Sequence, residues 1–231
     1  MGTMNNPWRQ LSNKKPFILK EDLDLVNSFN RKTKNNKFKI RTDLLPDPYI
    51  GNPKAPIILL NLNPGIGGEE PKLHKKSFFI KACKANLLHN KQGFYYFKKE
   101  FKNTSGYNWW QKKLKGLLGI INEQKLGQNI FVIEYFPYHS KSFKAPNFLL
   151  PSQQYNKFLI QEALKRNDKP IIVLMRGKKL WLKLIPELRS YPLLYELRST
   201  QAASLSRKNL GELVFRKILT KLDIQASYSF L

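Results

Sequence analysis

Residues that can hold a small ligand follow an apolar run in the segment APIILLNLNPGIGGEE, residues 55–70. Asn63 carries an amide that can both donate hydrogen bonds to a ligand and accept them from it. Pro64 fixes φ, and Gly65 lets a ligand come close to the backbone. The N–H groups of residues 65–68 can contact a base or a phosphate. The alternative interpretation of Asn-Pro-Gly is a plain sharp turn.

Two further groups of polar residues follow later apolar segments. Glu134 and His139 lie in EYFPYHS, residues 134–140. The segment RSTQAASLSRKNLGE, residues 198–212, precedes a helical pattern. Its four hydroxyls and one of its cations suit a phosphate, and the residues concerned are Ser199, Thr200, Ser204, Ser206 and Arg207. The alternative is that Ser204 or Ser206 only caps the final helix.

The elements that must position these groups are four short apolar segments, residues 56–62, 129–135, 170–175 and 193–198. Helical patterns separate them, and continuous apolar strands are typical of parallel sheets covered on both faces. The sequence therefore predicts an α/β domain, a three-layer α/β/α sandwich with a central, mainly parallel four-stranded sheet. Because ligands bind beyond the carboxyl ends of such strands, we expect the three polar groups to converge there.

The remaining segments suggest how the chain is organised. Residues 1–45 are predicted to be a basic N-terminal arm, loose over 1–19, with a short helix at 21–29. The proline- and glycine-rich segment 44–56 is predicted to be a loop. Residues 46–231 are assigned to the α/β domain, whose last helix carries leucines from Leu210 to Leu222.

The charge of the chain indicates its class of partner. Forty-one Lys and Arg residues oppose 16 acids, which gives a net charge of +25 and a pI near 10.1. A polyanion is the natural partner of such a surface, and nucleic acid is the first candidate. A basic protein that binds ribosomal RNA or acidic surfaces without chemistry is the alternative.

Cysteine and histidine usage limits the kinds of chemistry. The single cysteine, Cys83, excludes a disulfide within the chain, and the three histidines show no metal-ligand spacing. We therefore expect neither a metal nor another cofactor. No apolar run has the length of a membrane span, and the first residues lack a signal-peptide core. A cytoplasmic monomer without membrane contact is expected.

Two of these segments resemble motifs of the uracil-DNA glycosylase superfamily. Residues 61–65 (NLNPG) resemble the first motif, in the Gly-x-Asn-Pro-Gly form of the mismatch-specific and single-strand-selective branches. Residues 201–207 (QAASLSR) resemble the second motif, of the Asn-Pro-Ser-Gly-Leu-Ser-Arg kind. The similarity runs from about Pro46 to Leu222.

The resemblance implies a function and roles for these residues. It implies that the protein binds DNA, single-stranded or damaged duplex, flips out a damaged or non-standard base and hydrolyses its N-glycosidic bond. Asn63 would orient the water, with Asn61, Pro64 and Gly65 beside the base. The serine loop would grip the DNA backbone and enter the minor groove.

The sequence departs from that pattern at two places. In many of these glycosylases a histidine of the second motif stabilises the departing base, but residues 199–206 contain none. The mismatch-specific branch also lacks this histidine. His139 is a candidate substitute for that histidine, and the alternative is that His139 has only a structural role. Glu134 stands three residues before Pro137, where the single-strand-selective branch has a base-reading asparagine. An ionised glutamate only accepts hydrogen bonds, so Glu134 would prefer an exocyclic amine or bind protonated. The alternative is an ion pair with Lys or Arg.

Residues 72–102 contain nine lysines and one acid, with aromatic residues between them. This pattern suits base stacking in a positive groove, although an amphipathic helical insert with the rings in the core is the alternative. Phe78 and Phe79 are the candidates for lining a base pocket. The rival to the whole glycosylase hypothesis is a catalytically silent nucleic-acid-binding protein on the same fold.

Overall fold

The computed structural model describes residues 4–90 and 93–223, and their centre is one five-stranded mixed sheet. The strand order is β1-β3-β2-β4-β5. The strands are β1 (Tyr49–Gly51), β2 (Ile57–Asn61), β3 (Ile130–Glu134), β4 (Ile171–Leu174) and β5 (Leu194–Glu196). Only β1 runs antiparallel to its neighbour, and the other pairs are parallel.

The three central strands are buried along their whole length. Their apolar runs lack polar alternation because both faces of a parallel strand are covered. In the register of this sheet Asn61 lies opposite Glu134, and Leu60 lies opposite Leu174. The carboxyl ends of β2, β3 and β4 are therefore level, and the residues that follow them share one edge of the sheet.

Helices flank and connect the strands, and three of those named next begin at a side chain that caps them. They are α1 (Lys20–Lys32), α2 (Glu70–Leu73), α3 (Ser77–Leu87), α4 (Ser105–Leu118), α5 (Glu123–Asn129), α6 (Gln153–Leu164), α7 (Lys178–Leu184), α8 (Arg207–Leu210) and α9 (Glu212–Lys221). The Thr104, Asn122 and Ser206 side chains accept hydrogen bonds at the starts of α4, α5 and α8. In the described part of the chain no helix is long and apolar enough to cross a membrane.

The prediction of four strands and of a continuous loop at 44–56 is wrong, because Tyr49–Gly51 forms a fifth strand inside that segment. Its prolines lie outside the three paired residues, so they interrupt no ladder hydrogen bond. The Asn86 amide closes the outer edge of this strand. It donates to Tyr49 O at 2.7 Å and accepts from Gly51 N at 3.2 Å, which protects an edge that could otherwise pair with another strand.

Residues 6–19 are anchored to the core at several points, contrary to the loose arm predicted for residues 1–19, of which 1–3 lie outside the described residues. The Trp8 side chain is 2% exposed and meets the Tyr138 ring edge-on. Asn6 donates to Leu87 O at 2.7 Å. The Tyr138 hydroxyl accepts from Leu19 N and donates to Asp22, so the start of α1 is also fixed to the residues after β3. Basic and polar residues stand next to these anchors in the sequence, so composition alone predicted a loose segment.

Two helices end or divide at residues that cannot continue them. The α7 helix stops at Leu184, ahead of Pro186, whose ring does not fit a helix interior. The predicted last helix is divided, because Gly211 adopts a φ of 83° between α8 and α9. Serine capping is confirmed for Ser206, whose Oγ accepts from Asn209 N at 3.3 Å, but the capped element is the short α8 and not the final helix.

Candidate functional site

A cavity of about 550 Å³ opens at the carboxyl ends of β2, β3 and β4. Asn61, Glu134 and Arg176 each reach it from the end of a different strand, and residues 62–67 and 139–143 form further parts of its wall. The first turns of α4 close another side. The structure thus brings the polar groups that follow β2 and β3 into one cavity, as the parallel topology predicted.

The Asn63 amide has a defined orientation in the wall of this cavity. Its Nδ2 donates to Ser140 Oγ at 2.9 Å and to Pro64 O at 3.0 Å. Ser140 Oγ in turn donates to Ser142 O at 3.1 Å, so its lone pair must face Asn63. Because both partners are hydrogen-bond acceptors, the amide atom that faces them must be the nitrogen. The amide oxygen, Oδ1, therefore points away from Ser140 and Pro64. No donor among the described residues contacts Oδ1, which leaves it able to accept from a water molecule.

His139 holds the Asn-Pro-Gly backbone rather than offering a cation. Its Nδ1 lies 2.8 Å from Gly65 O, and since a carbonyl only accepts, Nδ1 carries the proton. The imidazole is 2% exposed, and burial with a nearby His74 ring lowers its pKa to about 4. His139 is therefore neutral at pH 7, and its Nε2 has no hydrogen-bond partner among the described residues.

Glu134 is paired with an amide and not with a cation. Asn61 Nδ2 donates to Glu134 Oε1 at 2.9 Å, while Glu134 Oε2 has no hydrogen-bond partner in the described chain. Burial raises the pKa of Glu134 to about 8, although Asn61 and the charge of Arg176 oppose this rise. The alternative prediction was an ion pair between Glu134 and a Lys or Arg. It is wrong, because no Lys or Arg nitrogen among the described residues lies within 4.0 Å of this carboxyl group.

Two buried carboxyl groups in the wall were missed from the sequence. Asp47 accepts from the Tyr95 hydroxyl at 3.1 Å, and burial raises its pKa well above the ordinary value. Glu70 accepts from Ser105 Oγ at 2.7 Å and lies 3.6 Å from His74 Nε2. Although burial opposes it, the nearby His74 ring and the hydrogen bond from Ser105 Oγ lower the pKa of Glu70, so this carboxylate is ionised. Glu70 lies at the end of the glycine-rich segment that follows Asn-Pro-Gly, and this position could have indicated that it reaches the site.

The aromatic wall comes from residues other than the predicted ones. Phe79 is buried in the core against His74, and Phe78 packs edge-on against Phe101. Neither ring lines the cavity, because α3 turns that face of the insert into the core. The rings that line it are Tyr96, Trp109, Trp110 and Phe143. For Phe78 and Phe79 the core alternative is therefore the observed one.

One cation, Arg176, lies in the cavity wall, and a second, Lys113, lies beside the wall residue Trp109. Arg176 follows β4, lines the cavity, and has no carboxylate within 4.0 Å among the described residues. Lys113 places its Nζ 5.1 Å from the centroid of the Trp109 ring. Partial burial and the charge of Arg176 lower the pKa of Lys113. Two neighbouring cations, neither with a carboxylate within 4.0 Å among the described residues, favour an anion at this position.

The serine loop, residues 198–206, packs on α4 beside the cavity and not in its wall. Leu205 N donates to Lys113 O at 2.7 Å, and Gly116 leaves room for Leu205 O and Ser206. The Asn209 amide shapes the loop by bonding Ser199 O, Ala202 O and Ser204 O.

The predicted phosphate contacts are exposed to different degrees. Ser199 and Thr200 are exposed, Ser204 and Ser206 are half-buried, and Arg207 pairs with Glu212 at 2.5 Å. Leu205, the apolar residue of the loop, is fully buried. The hydroxyls can still donate to a phosphate, but Leu205 has no free surface with which to enter a groove.

The polar residues do not form a metal site within residues 4–90 and 93–223. No group of three or more His, Cys, Asp and Glu side chains in these ranges has the arrangement of metal ligands. Comparisons of the chain with protein-family models, curated proteins and solved structures gave no match.

Proposed function

We propose that this protein is a DNA N-glycosylase that flips a damaged or non-standard base into the cavity and hydrolyses its N-glycosidic bond. The observation that carries the proposal is the orientation of Asn63, whose amide nitrogen is held by Ser140 and Pro64 while Oδ1 is left to a water molecule. The resemblance of residues 61–65 to the uracil-DNA glycosylase motif supports it, with a three-layer α/β/α arrangement as the corresponding fold.

The reaction would need no group beyond the side chains and water. As the C1′–N bond breaks, its electron pair stays on the base and positive charge develops on the sugar. The water held by Asn63 Oδ1 then bonds to C1′, and its proton passes to the departing base or to solvent. The ionised Glu70 in the same wall would stabilise the positive sugar electrostatically. His139 would act by positioning Gly65 and, through it, the Asn63 loop.

The surroundings of the cavity suit an extruded nucleotide. Trp109 and Tyr96 offer apolar ring surface to the base, and Arg176 with Lys113 offers positive charge to a phosphate. The net charge of +25 would draw the protein to DNA without sequence preference. The hydroxyls of Ser199, Thr200, Ser204 and Ser206 would add backbone contacts beside α4.

The second candidate is a DNA-binding protein without catalysis. The neutral His139 favours it, because this histidine carries no positive charge with which to stabilise the departing base. A panel of strands, each with one modified base, distinguishes the two when alkali is added to reveal abasic sites. We expect breaks at one or more modified bases. Absence of breaks across the panel, with tight binding retained, would establish the binder; equal competition by RNA would remove DNA as the partner.

A further inference from the structure

We propose that the cavity also takes a purine base with a fixed positive charge, the class formed when a ring nitrogen of a purine in DNA is alkylated, and that the protein releases this base. Three buried carboxyl groups and an aromatic wall in one cavity point to this class. The inference rests on the proposed function because it needs an extruded base in the cavity. It adds a cationic class to the damaged bases of that function.

The cavity reverses the charge balance of the chain. Over the whole sequence 41 Lys and Arg residues oppose 16 acids, whereas the cavity wall contains three acids and two cations. The acids are Asp47, Glu70 and Glu134, all at most 5% exposed. The cations are Arg176, which is half-buried, and Lys141, which is exposed. The inner wall is therefore acidic and the rim is basic, which suits a cationic base inside and a phosphate outside.

Three buried polar atoms of the wall residues add to this negative character. Asp47 Oδ1, Glu134 Oε2 and His139 Nε2 have no hydrogen-bond partner among the described residues. His139 Nε2 presents a lone pair, because Nδ1 carries the proton that Gly65 O accepts. Unpaired buried polar atoms cost free energy, and positive charge placed in the cavity acts on them at short range. A cationic ligand would offset part of this cost without a particular pairing of atoms.

The three carboxyl groups also act on one another. Burial raises the pKa of Asp47, and the charges of Glu134 and Glu70 raise it further. Burial raises the pKa of Glu134 to about 8, and the charge of Arg176 does not cancel this rise. Glu70 is already ionised. A cation in the cavity would lower the pKa values of the other two acids and be held by the charges that form, whereas an anion would increase the repulsion.

The aromatic side chains of the wall suit a flat cation. They are Tyr96, Trp109, Trp110 and Phe143. The face of an aromatic ring attracts positive charge, and that of tryptophan does so most strongly. Lys113 Nζ, 5.1 Å from the centroid of the Trp109 ring, shows that this ring accepts a cation on its face. A cationic purine gains this attraction in addition to stacking, so the wall distinguishes it from a neutral base of the same shape.

The chemical step also suits such a base. When the C1′–N bond of a cationic purine breaks, the electron pair stays on the ring nitrogen and the base leaves as a neutral molecule. The water held by Asn63 Oδ1 bonds to C1′ and loses a proton to solvent. The positive charge passes from the base to the sugar beside Glu70, so no anion forms near the buried acids. The neutral His139 offers no charge to a departing anion, and a cationic base needs none.

The test compares the binding of two strands that differ only in the charge of one base. One contains 7-methylguanine, which is cationic at pH 6.5, and the other contains its neutral isostere, 7-deaza-7-methylguanine. Each base is on a fluorinated sugar that resists hydrolysis, so binding is measured without release. We expect the wild-type protein to bind the cationic strand roughly tenfold more tightly, through cation–π and carboxylate attraction in a buried site. Equal binding of the two strands would overturn the inference.

Two variants test whether the buried acids cause this preference. Asp47→Asn and Glu70→Gln each remove a carboxyl group and keep its size, so each should reduce the preference several-fold. The preference is a ratio measured on one protein, and a smaller folded fraction therefore affects both strands alike. Asp24→Asn is the matched control, because it removes an exposed acid of α1 and should leave the preference unchanged. A preference that neither Asp47→Asn nor Glu70→Gln lowers would overturn the inference.

Uracil release separates this inference from the proposed function. If the cationic strand has no advantage but the wild type releases uracil in an Asn63-dependent manner, the glycosylase function stands and the cationic class falls. If neither strand binds better than undamaged DNA and no modified base is released, both fall together. Asn63-dependent release of 7-methylguanine from ordinary deoxyribose, above its spontaneous rate, is the result expected if both hold.

Discussion

Asn63 Nδ2 lies 2.9 Å from Ser140 Oγ, which joins the loop after β2 to the loop after β3 through their side chains. Ser140 Oγ donates its own proton to Ser142 O, which leaves a lone pair facing Asn63 Nδ2. The orientation of Asn63 Oδ1 thus depends on Ser140, whose hydroxyl is engaged by Asn63 and Ser142. Ser140 is a positioning residue in this account.

The first prediction concerns Ser140→Ala. Loss of one of the two acceptors of Asn63 Nδ2 lets the amide rotate, and we expect kcat for base release to fall about tenfold, as for a hydrogen bond of about 1.4 kcal/mol. KM should change little, because the DNA contacts remain. Single-turnover and steady-state assays measure both constants. Ser77→Ala, at an exposed serine, is the control; an unchanged kcat in Ser140→Ala would remove the positioning role.

The second prediction tests the packing of the serine loop on α4. A Cβ at Gly116 would lie 2.4 Å from Leu205 O and 2.8 Å from Ser206 Cα, both backbone atoms. Gly116→Ala should therefore lower the free energy of unfolding by about 1–3 kcal/mol, as overpacking does. Alanine's helix propensity alone would raise it by about 1 kcal/mol.

Gly119→Ala is the matched control for that substitution. Its Cβ would meet nothing closer than Lys115 O at 3.7 Å, so it should be neutral or stabilising. Urea unfolding of both variants gives the comparison. Equal stability of the two variants would mean that the loop moves away from α4 at little cost.

The third prediction concerns the pH dependence of stability. The pKa of Glu134 rises from about 4.5 to about 8 on folding, so between these values the unfolded chain releases a proton that the folded chain keeps. Its contribution therefore falls as pH rises through this window, by about 1.4 kcal/mol per pH unit. Glu134→Gln carries no such proton, and its stability relative to wild type should increase up to pH 8 and then level off. A difference that does not change with pH would contradict the raised pKa.

The fourth prediction assigns an anion to Arg176 and Lys113. If each contacts one DNA phosphate, Arg176→Gln and Lys113→Gln should each reduce the slope of log K against log salt by about 0.9. Fluorescence anisotropy over a range of salt concentrations measures this slope. Lys165→Gln is the control, since Lys165 is paired with Glu162 on α6. If all three variants share the wild-type slope, the two cations do not contact phosphate.

Much of the fold could be predicted because buried parallel strands have a strong signature. The apolar runs ending at Asn61, Glu134 and Leu174 identified β2, β3 and β4. The parallel topology then placed the polar residues that follow these strands at one edge of the sheet. β1 was missed because three residues between prolines give no period, and its pairing depends on a partner more than 80 residues away, as Tyr49 faces Ile133. The buried role of Trp8 depends on Tyr138 in the same way.

The site was predictable only in part, for a similar reason. Asn63 and Glu134 stand at strand ends, where topology alone brings them together. Ser140 lies in the segment EYFPYHS, residues 134–140. Its contact with Asn63 depends on the conformations of two loops, which the spacing of residues in the sequence does not predict. Whether a ring in residues 72–102 lines a cavity or the core also depends on long-range packing, and this is why Tyr96 does so while Phe79 does not.

The most direct measurement of the central claim is base release by wild type and Asn63→Ala from a single-stranded oligonucleotide with one uracil, under single-turnover conditions with alkaline cleavage. We expect Asn63→Ala to release the base at least about a hundredfold more slowly, as for loss of a group that acts in the transition state, while binding stays within a fewfold and Asn108→Ala matches wild type. Equal rates for wild type and Asn63→Ala would contradict the account.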